Sequence, residues 1–347
     1  MSHTIAIILA LLAAPLAATA QTAEPPLSIV LPPRLLANAP ATLAVLGADG
    51  HLAPGVTVDL GGGQRVTTNT TGRASFTAPA AGAFIATASG VSAAALVDAS
   101  APPASSAALS VAPHVAQHDG FSICGAPFDP DTSADAASIN GDPAFVLAAS
   151  PICLVVLPQA RTLAGPAKLD VVSGSAHLAA STTLVAFDFV PPNPLLLPGN
   201  KGYLTVRAEG TADPLRITVE NRSPDVLHFV KGETQELRTG GSSVEKNSKA
   251  KGKGNTALIE VQAIRSGSFS FRARLLAPSD APTAVRYLQV AQSSAPSDLQ
   301  HELNQVISQL QRHPRAVSRP RAVLSRLVDA APAGTLRILI SAARSSL

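Results

Sequence analysis

From Leu27 onward the chain is written in short runs in which apolar and polar residues alternate, each closed by Gly, Asn, Asp or Pro. Leu27–Leu31, Ala41–Leu46, Val56–Leu60, Arg65–Thr68, Ala74–Thr77, Ala83–Ala88 and Ala95–Val97 are the first set. Gly202–Ala208, Leu215–Glu220, Val226–Val230, Gln235–Arg238, Ala257–Ala263 and Gly267–Ala273 repeat the pattern later. Period-two alternation puts one face of a strand in a core and the other in solvent. Strands recurring roughly every 8 to 12 residues between turn signals predict β-sandwiches.

The period changes near the C-terminus. Leu299, Leu303, Val306, Ile307 and Leu310 form one stripe at helical spacing, with Ser297 placed to cap it and Pro314 to end it. Pro320 opens a second helix carrying Val323, Leu324, Leu327 and Val328, and residues 334–347 read as either a third helix or a strand. An amphipathic tail of this kind must bury its stripes, either against its own sandwiches or against another protein. At the other end, Ile5–Leu16 is a nearly unbroken apolar run followed by Ala18-Thr19-Ala20. This is the pattern of a signal peptide cleaved after Ala20. The run is too short to span a membrane comfortably, and no later stretch is long enough. The predicted organisation is thus a signal peptide at 1–20, sandwiches at 27–98, 109–189 and 195–290, and a helical region at 296–347. Ala99–Ala108 and Pro191–Pro194 are small-residue and proline-rich boundaries.

Two of these modules resemble known families. Gly55–Leu60 followed by Thr68-Asn69-Thr70-Thr71-Gly72-Arg73-Ala74-Ser75-Phe76 resembles bacterial immunoglobulin-like (Ig-like) modules, in which a strand precedes "T-x-x-x-G-x-a-x-f". In the second module, Ile123-Cys124-Gly125-Ala126-Pro127-Phe128, then Ala137–Gly141, then Ile152–Pro158, then Gly165–Val172, resembles the IPT/TIG subtype of Ig-like domain. The usual Gly-Gly pair before the Ile strand is absent, and a cysteine stands in each of two strands. The resemblance implies a mainly β protein of tandem Ig-like sandwiches with a short C-terminal helical region.

Composition narrows the chemistry. With no Trp and only 3% aromatic residues, the cores must be built from Val, Leu, Ile, Ala and a few Phe. The net charge of +3 is too small to indicate a nucleic-acid partner. Cys124 and Cys153 are the two cysteines, and in an exported chain an even pair suggests one disulfide, the alternative being two separate buried thiols.

Catalytic patterns are missing. Ser243-Val244-Glu245-Lys246 matches S-x-x-K without its companion motifs, Gly252-Lys253-Gly254 lacks phosphate-loop spacing, and there is no G-x-S-x-G. His114 and His118, four apart, precede a strand, where that spacing does not bring them together as on a helix. Asp129, Asp131 and Asp135, with Asp142 nearby, are calcium candidates. They lack the EF-hand spacing, and Asp at turns is ordinary loop chemistry. Lys246, Lys249, Lys251 and Lys253 make a basic run among Gly, Ser and Asn, read either as a solvated loop or as an anion-binding loop for a glycan, headgroup or acidic protein.

These observations lead to an expectation: a non-enzymatic secreted, periplasmic or cell-surface interaction protein without a cofactor, whose partner is an envelope or extracellular protein or glycan. A carbohydrate-binding accessory protein or adhesin is the alternative. Against it, only Tyr203 and Tyr287 could supplement Phe in stacking on sugars. A hydrolase would need a deep cleft with convergent polar groups.

Overall fold

The computed structural model describes residues 27–101, 109–125, 127–190, 196–240, 255–276 and 278–347. The segment 1–20, expected to be a signal peptide, lies outside them. The protein is mostly β, with four helices at the C-terminal end.

The first sandwich packs strands β1 (Ser28–Val30), β3 (Pro40–Leu46) and β6 (Arg73–Thr77) against a five-stranded sheet. That sheet runs β2 (Arg34–Leu36), β8 (Val91–Asp98), β7 (Gly82–Ala88), β4 (Thr57–Gly61), β5 (Gln64–Thr67). Leu35, Leu43, Val45, Val58 and Val97 fill the core, where Phe76 stacks on Phe84 with ring centroids 5.1 Å apart. The glycine of the family pattern has a local reason. Gly72 has φ +67°, and a Cβ on it would lie 2.7 Å from Leu52 Cβ and 2.8 Å from Ala53 N. Asn69 Oδ1 shapes the turn by accepting from the backbone N–H of Thr71 and Arg73.

The second sandwich contains β9 (Ser110–Val111), β10 (His114–Ala116), β11 (Phe121–Cys124), β12 (Asp135–Ile139), β13 (Asp142–Ser150), β14 (Cys153–Leu157), β15 (Gly165–Ser173) and β16 (Ala176–Val190). Strand β13 serves both layers: its start pairs with β12 and its remainder with β14. Cys124 and Cys153 face one another across β11 and β14 and form a disulfide.

Strand β16 joins the second sandwich to the third without interruption. Residues 176–184 pair with β15, and Ala186–Val190 pair with β17 (Lys201–Glu209) of the next module. Residues 186–189, which the sequence assigns to the end of the second module, pair with β17 and so belong to the third sheet. The third core lies between β17, β21 (Thr256–Ala263) and β19 (Leu227–Phe229) on one side and β20 (Thr234–Arg238), β18 (Arg216–Asn221) and β22 (Phe271–Leu275) on the other. Phe271 is its aromatic centre, 5.3 Å from Phe189, Phe229 and Phe269.

Helix α1 spans Ala281–Ser294, so the third sandwich ends before residue 290, the limit expected from the sequence. Its cause is local. Asp280 caps it by accepting from Thr283 N, Pro282 stands in its first turn, and Ala281, Ala284, Val285, Leu288 and Ala291 form a buried stripe. Helices α2 (Ser297–Arg312), α3 (Ser318–Ala330) and α4 (Thr335–Ser345) follow, so the segment left open between helix and strand is helical. Ser297 begins α2 rather than capping it: Pro296 holds the cap position, and no side chain bonds the first turn.

The modules touch in a closed cycle. Thr42 of β3 pairs with Ala149 of β13, Thr42 Oγ1 donates to Pro130 O (2.7 Å), and Arg73 Nη2 donates to Val146 O (2.8 Å). The helices then return to the first module. Leu96 of β8 belongs to their core, and Ala83, Ile85 and Ala94 pack beside it. Asp98 closes this seam by pairing with Arg34 at 2.8 Å and Arg286 of α1 at 2.7 Å. The Asp98 side chain is only 11% exposed, whereas the two arginines remain partly solvated. Asp98→Asn therefore leaves two unpaired guanidinium groups at the seam and should cost about 1–2 kcal/mol. Faster amide exchange in α1 and a lower thermal midpoint are the expected readouts.

Candidate binding surface

In the three-stranded sheet β20–β18–β22, Ile217, Val219, Leu237, Ala273 and Leu275 turn inward to the third core. Alternation therefore places Arg216, Thr218, Glu220, Glu236, Arg238, Arg272 and Arg274 on the outer face, with Arg222 following at the end of β18. Pairing aligns them in rows: Arg216 stands opposite Arg238, Thr218 lies between Glu236 and Arg274, and Glu220 lies between Thr234 and Arg272.

The ion pairs on this face are long. Arg216–Glu236 is 3.7 Å, Arg222–Glu220 is 3.5 Å, and Arg272 reaches Asp119 of the second module at 3.6 Å. Arg321 of α3 meets Glu236 at 3.4 Å and borders the face from the other side. Arg216 is otherwise engaged, its Nη1 donating to Leu347 O at 3.1 Å, whereas the long contacts of Arg222 and Arg272 leave most of their guanidinium donors without a well-formed hydrogen bond to protein. Among the described residues, Arg238 and Arg274 have no carboxylate within 4.0 Å. Desolvation, then the neighbouring Arg272 charge, pulls the Arg274 pKa below the ordinary arginine value, while Asp119 and Glu220 oppose the shift.

Arg272 also lines a cleft of about 310 Å³ between the second and third modules, with Gln117, His118, Phe187, Phe189 and Phe271. A second cleft, of about 610 Å³, lies where β7 and β8 meet α1. Its polar lining side chains are Arg286, Gln289 and Ser293, and Arg286 is already paired with Asp98.

The residues singled out in the sequence are scattered relative to this surface. Lys246, Lys249, Lys251 and Lys253 lie outside the described residues. His114 and His118 are not brought into a shared site: His114 Nε2 faces Asp213 Oδ2 of the third module at 3.1 Å, whereas His118 lines the smaller cleft. Asp129 and Asp131 are engaged in turns, their Oδ1 atoms accepting from Asp131 N and Ser133 N. Asp135 is buried with Oδ2 unpartnered, and burial raises its pKa. Among the described residues no group of three or more His, Cys, Asp or Glu is arranged to hold a metal ion. The sequence reading missed the arginine face; its signal was Arg272 and Arg274 at alternate positions in β22, with Arg216 opening β18 and Arg222 following it.

No protein family profile matches the chain, and no curated protein matches it. Solved structures do. The I9–I11 tandem of titin is 11% identical, with a TM-score of 0.19, and the match covers 72% of this chain and 94% of the tandem. SGBP-B of the Bacteroides ovatus mixed-linkage glucan utilization locus, solved with a mixed-linkage heptasaccharide, is 10% identical with a TM-score of 0.23, covering 70% of this chain and 71% of its own. Domains 4 and 5 of the S-layer protein SbsC are 12% identical with a TM-score of 0.17, covering 42% and 71%. At these TM-scores the likenesses add nothing to the reading of the surface. The tandem Ig-like sandwich fold is read from the strands themselves. No helix among the described residues is long and apolar enough to cross a membrane.

Proposed function

We propose that the chain is a non-catalytic interaction protein of the envelope or extracellular space, in which the Ig-like modules carry the binding surfaces and the C-terminal helices clasp them together. The observation that carries this reading is the fate of the helical stripes. Leu288, Leu303, Leu310, Leu324, Leu339, Ile340 and Leu347 are almost wholly buried in one core that also includes Leu96 of the first module. Their apolar surface is therefore already used within the chain. The disulfide suits an oxidising compartment, as does the expected signal peptide. Affinity of residues 109–189 with the IPT/TIG subtype is part of the same reading, supported by the Ile139–Asp142 hairpin pairing and the closing strand β15.

Capture from envelope extract tests it. Arg312, Arg315 and Arg319 are exposed on the helical region. Partners bound by the wild-type chain should persist with Arg312→Glu/Arg315→Glu/Arg319→Glu. Their loss would make the helices the interaction element and overturn the clasp.

A further inference from the structure

The outer face of β18, β20 and β22 is a strongly charged patch, and its chemistry selects a ligand. Five arginines (Arg216, Arg222, Arg238, Arg272, Arg274) share it with two glutamates (Glu220, Glu236). The positive excess is local, on a chain whose overall net charge is only +3. Arginine forks match carboxylate and sulfate oxygens in bidentate geometry; among the described residues Arg238 and Arg274 face no carboxylate within 4.0 Å, and the pairs made by Arg222 and Arg272 are long.

We propose that this face binds an acidic polysaccharide, with the carboxylate or sulfate groups of successive sugars seated on Arg238, Arg272 and Arg274. The inference rests on the reading that the modules, not the helices, bind partners, and it names the ligand class.

Three features favour a polysaccharide over other polyanions. First, Thr218 is the single uncharged residue in the middle of the rows, so the face offers no apolar pocket for the aromatic or aliphatic anchors that dominate protein–protein interfaces. Second, the outer rows carry no aromatic ring, so unpaired bases have nothing to stack on. Third, guanidinium groups two residues apart on one strand are about 7 Å apart along it and neighbouring strands are about 4.8 Å apart, a flat grid suited to charges repeated along an extended chain.

The experiment measures binding of the full chain to polygalacturonate and dextran sulfate, with dextran as the neutral control. Poly-glutamate, single-stranded DNA and anionic phospholipid vesicles are the competing polyanions. Both acidic polysaccharides should bind and dextran should not, and the affinity should fall as salt rises. Arg238→Gln/Arg274→Gln removes two exposed, carboxylate-free charges and should weaken binding by at least about tenfold. Arg312→Gln/Arg315→Gln should leave it unchanged, and an unaltered thermal midpoint shows that the variants fold. No binding to either polysaccharide, or binding indifferent to Arg238→Gln/Arg274→Gln, overturns the proposal. Equal or tighter binding to poly-glutamate, DNA or vesicles overturns the ligand class. Partner capture that survives these failures leaves the clasp reading standing. Loss of capture in the helix-surface variant, with polysaccharide binding intact, removes the clasp and leaves this face.

Discussion

Replacing Gly210 with Ala should destabilise the protein by on the order of 3 kcal/mol, and the damage should centre on the junction of the second and third modules. Gly210 directly follows β17 with φ +91°, in the region that L side chains rarely adopt. A Cβ there would fall well inside contact distance of the Leu184 carbonyl oxygen and 2.6 Å from Gly165 N. Both obstacles are backbone atoms of a registered pair in β15 and β16, so neither can swing aside as a side chain would. The turn that begins here also places Thr211 and Asp213 against His114 of β10. Relief of the clash must therefore separate the modules, loosen the Gly165–Leu184 pairing, or both. Chemical denaturation should show a lower midpoint, and amide exchange should rise first at Gly165, Leu184 and the residues of β10. A variant with wild-type stability would mean that the two sandwiches do not meet at this turn.

That junction also shows where the sequence was legible and where it was not. The alternating runs of β17, β18 and β21 are strict enough to mark strands and to separate inward from outward residues. Alternation also runs through Phe187 and Phe189, but it does not say which module they serve. Pro191-Pro192 reads as a domain boundary, although the strand before it already belongs to the third sheet. Helix α1 was hidden because its stripe is mostly alanine, and Tyr287-Leu288-Gln289-Val290 has the look of a strand. The stripes of α2 and α3 were plain because they are made of leucine, isoleucine and valine. That the stripes are buried within the chain depends on tertiary contacts with Leu96, which no local pattern records.

The arginine face was illegible for a related reason. Each arginine sits at an unremarkable outward position of its own strand, whereas the lysine run stands out because its charges are contiguous. Only pairing brings Arg238, Arg216 and Arg274 onto one surface, since β18 lies between β20 and a strand that begins 50 residues after Asn221. A charge cluster built across strands is a property of sheet order. The sheet order follows from which apolar faces close the third core, and that was not resolved by reading along the chain.

Removing the disulfide should have an effect of similar size to the glycine substitution but a different signature. Cys124 and Cys153 are separated by 29 residues, and the loop they close contains β12 and β13. In the chain-entropy model a bridge over such a loop contributes about 3 kcal/mol by restricting the unfolded chain. The pair is also a directly facing couple at one end of the β11–β14 ladder, beside Ser150, whose hydroxyl accepts from Cys153 N and donates to Arg34 O of the first module. Cys124→Ala/Cys153→Ala should therefore lower the unfolding free energy by about that amount, seen as a lower denaturation midpoint, and speed exchange in β11 and β14. The second core, built around Ile123, Ile139, Leu154, Val156 and Leu169, supplies the remaining cohesion, so the sandwich should still fold in isolation from oxidants. The same loss should appear in the wild-type chain on adding a reductant strong enough to open the bridge, and the double variant should then show no further response. A reductant response that persists in the double variant would place the redox-sensitive element elsewhere, and an unchanged midpoint in both would mean that the bridge contributes nothing to stability.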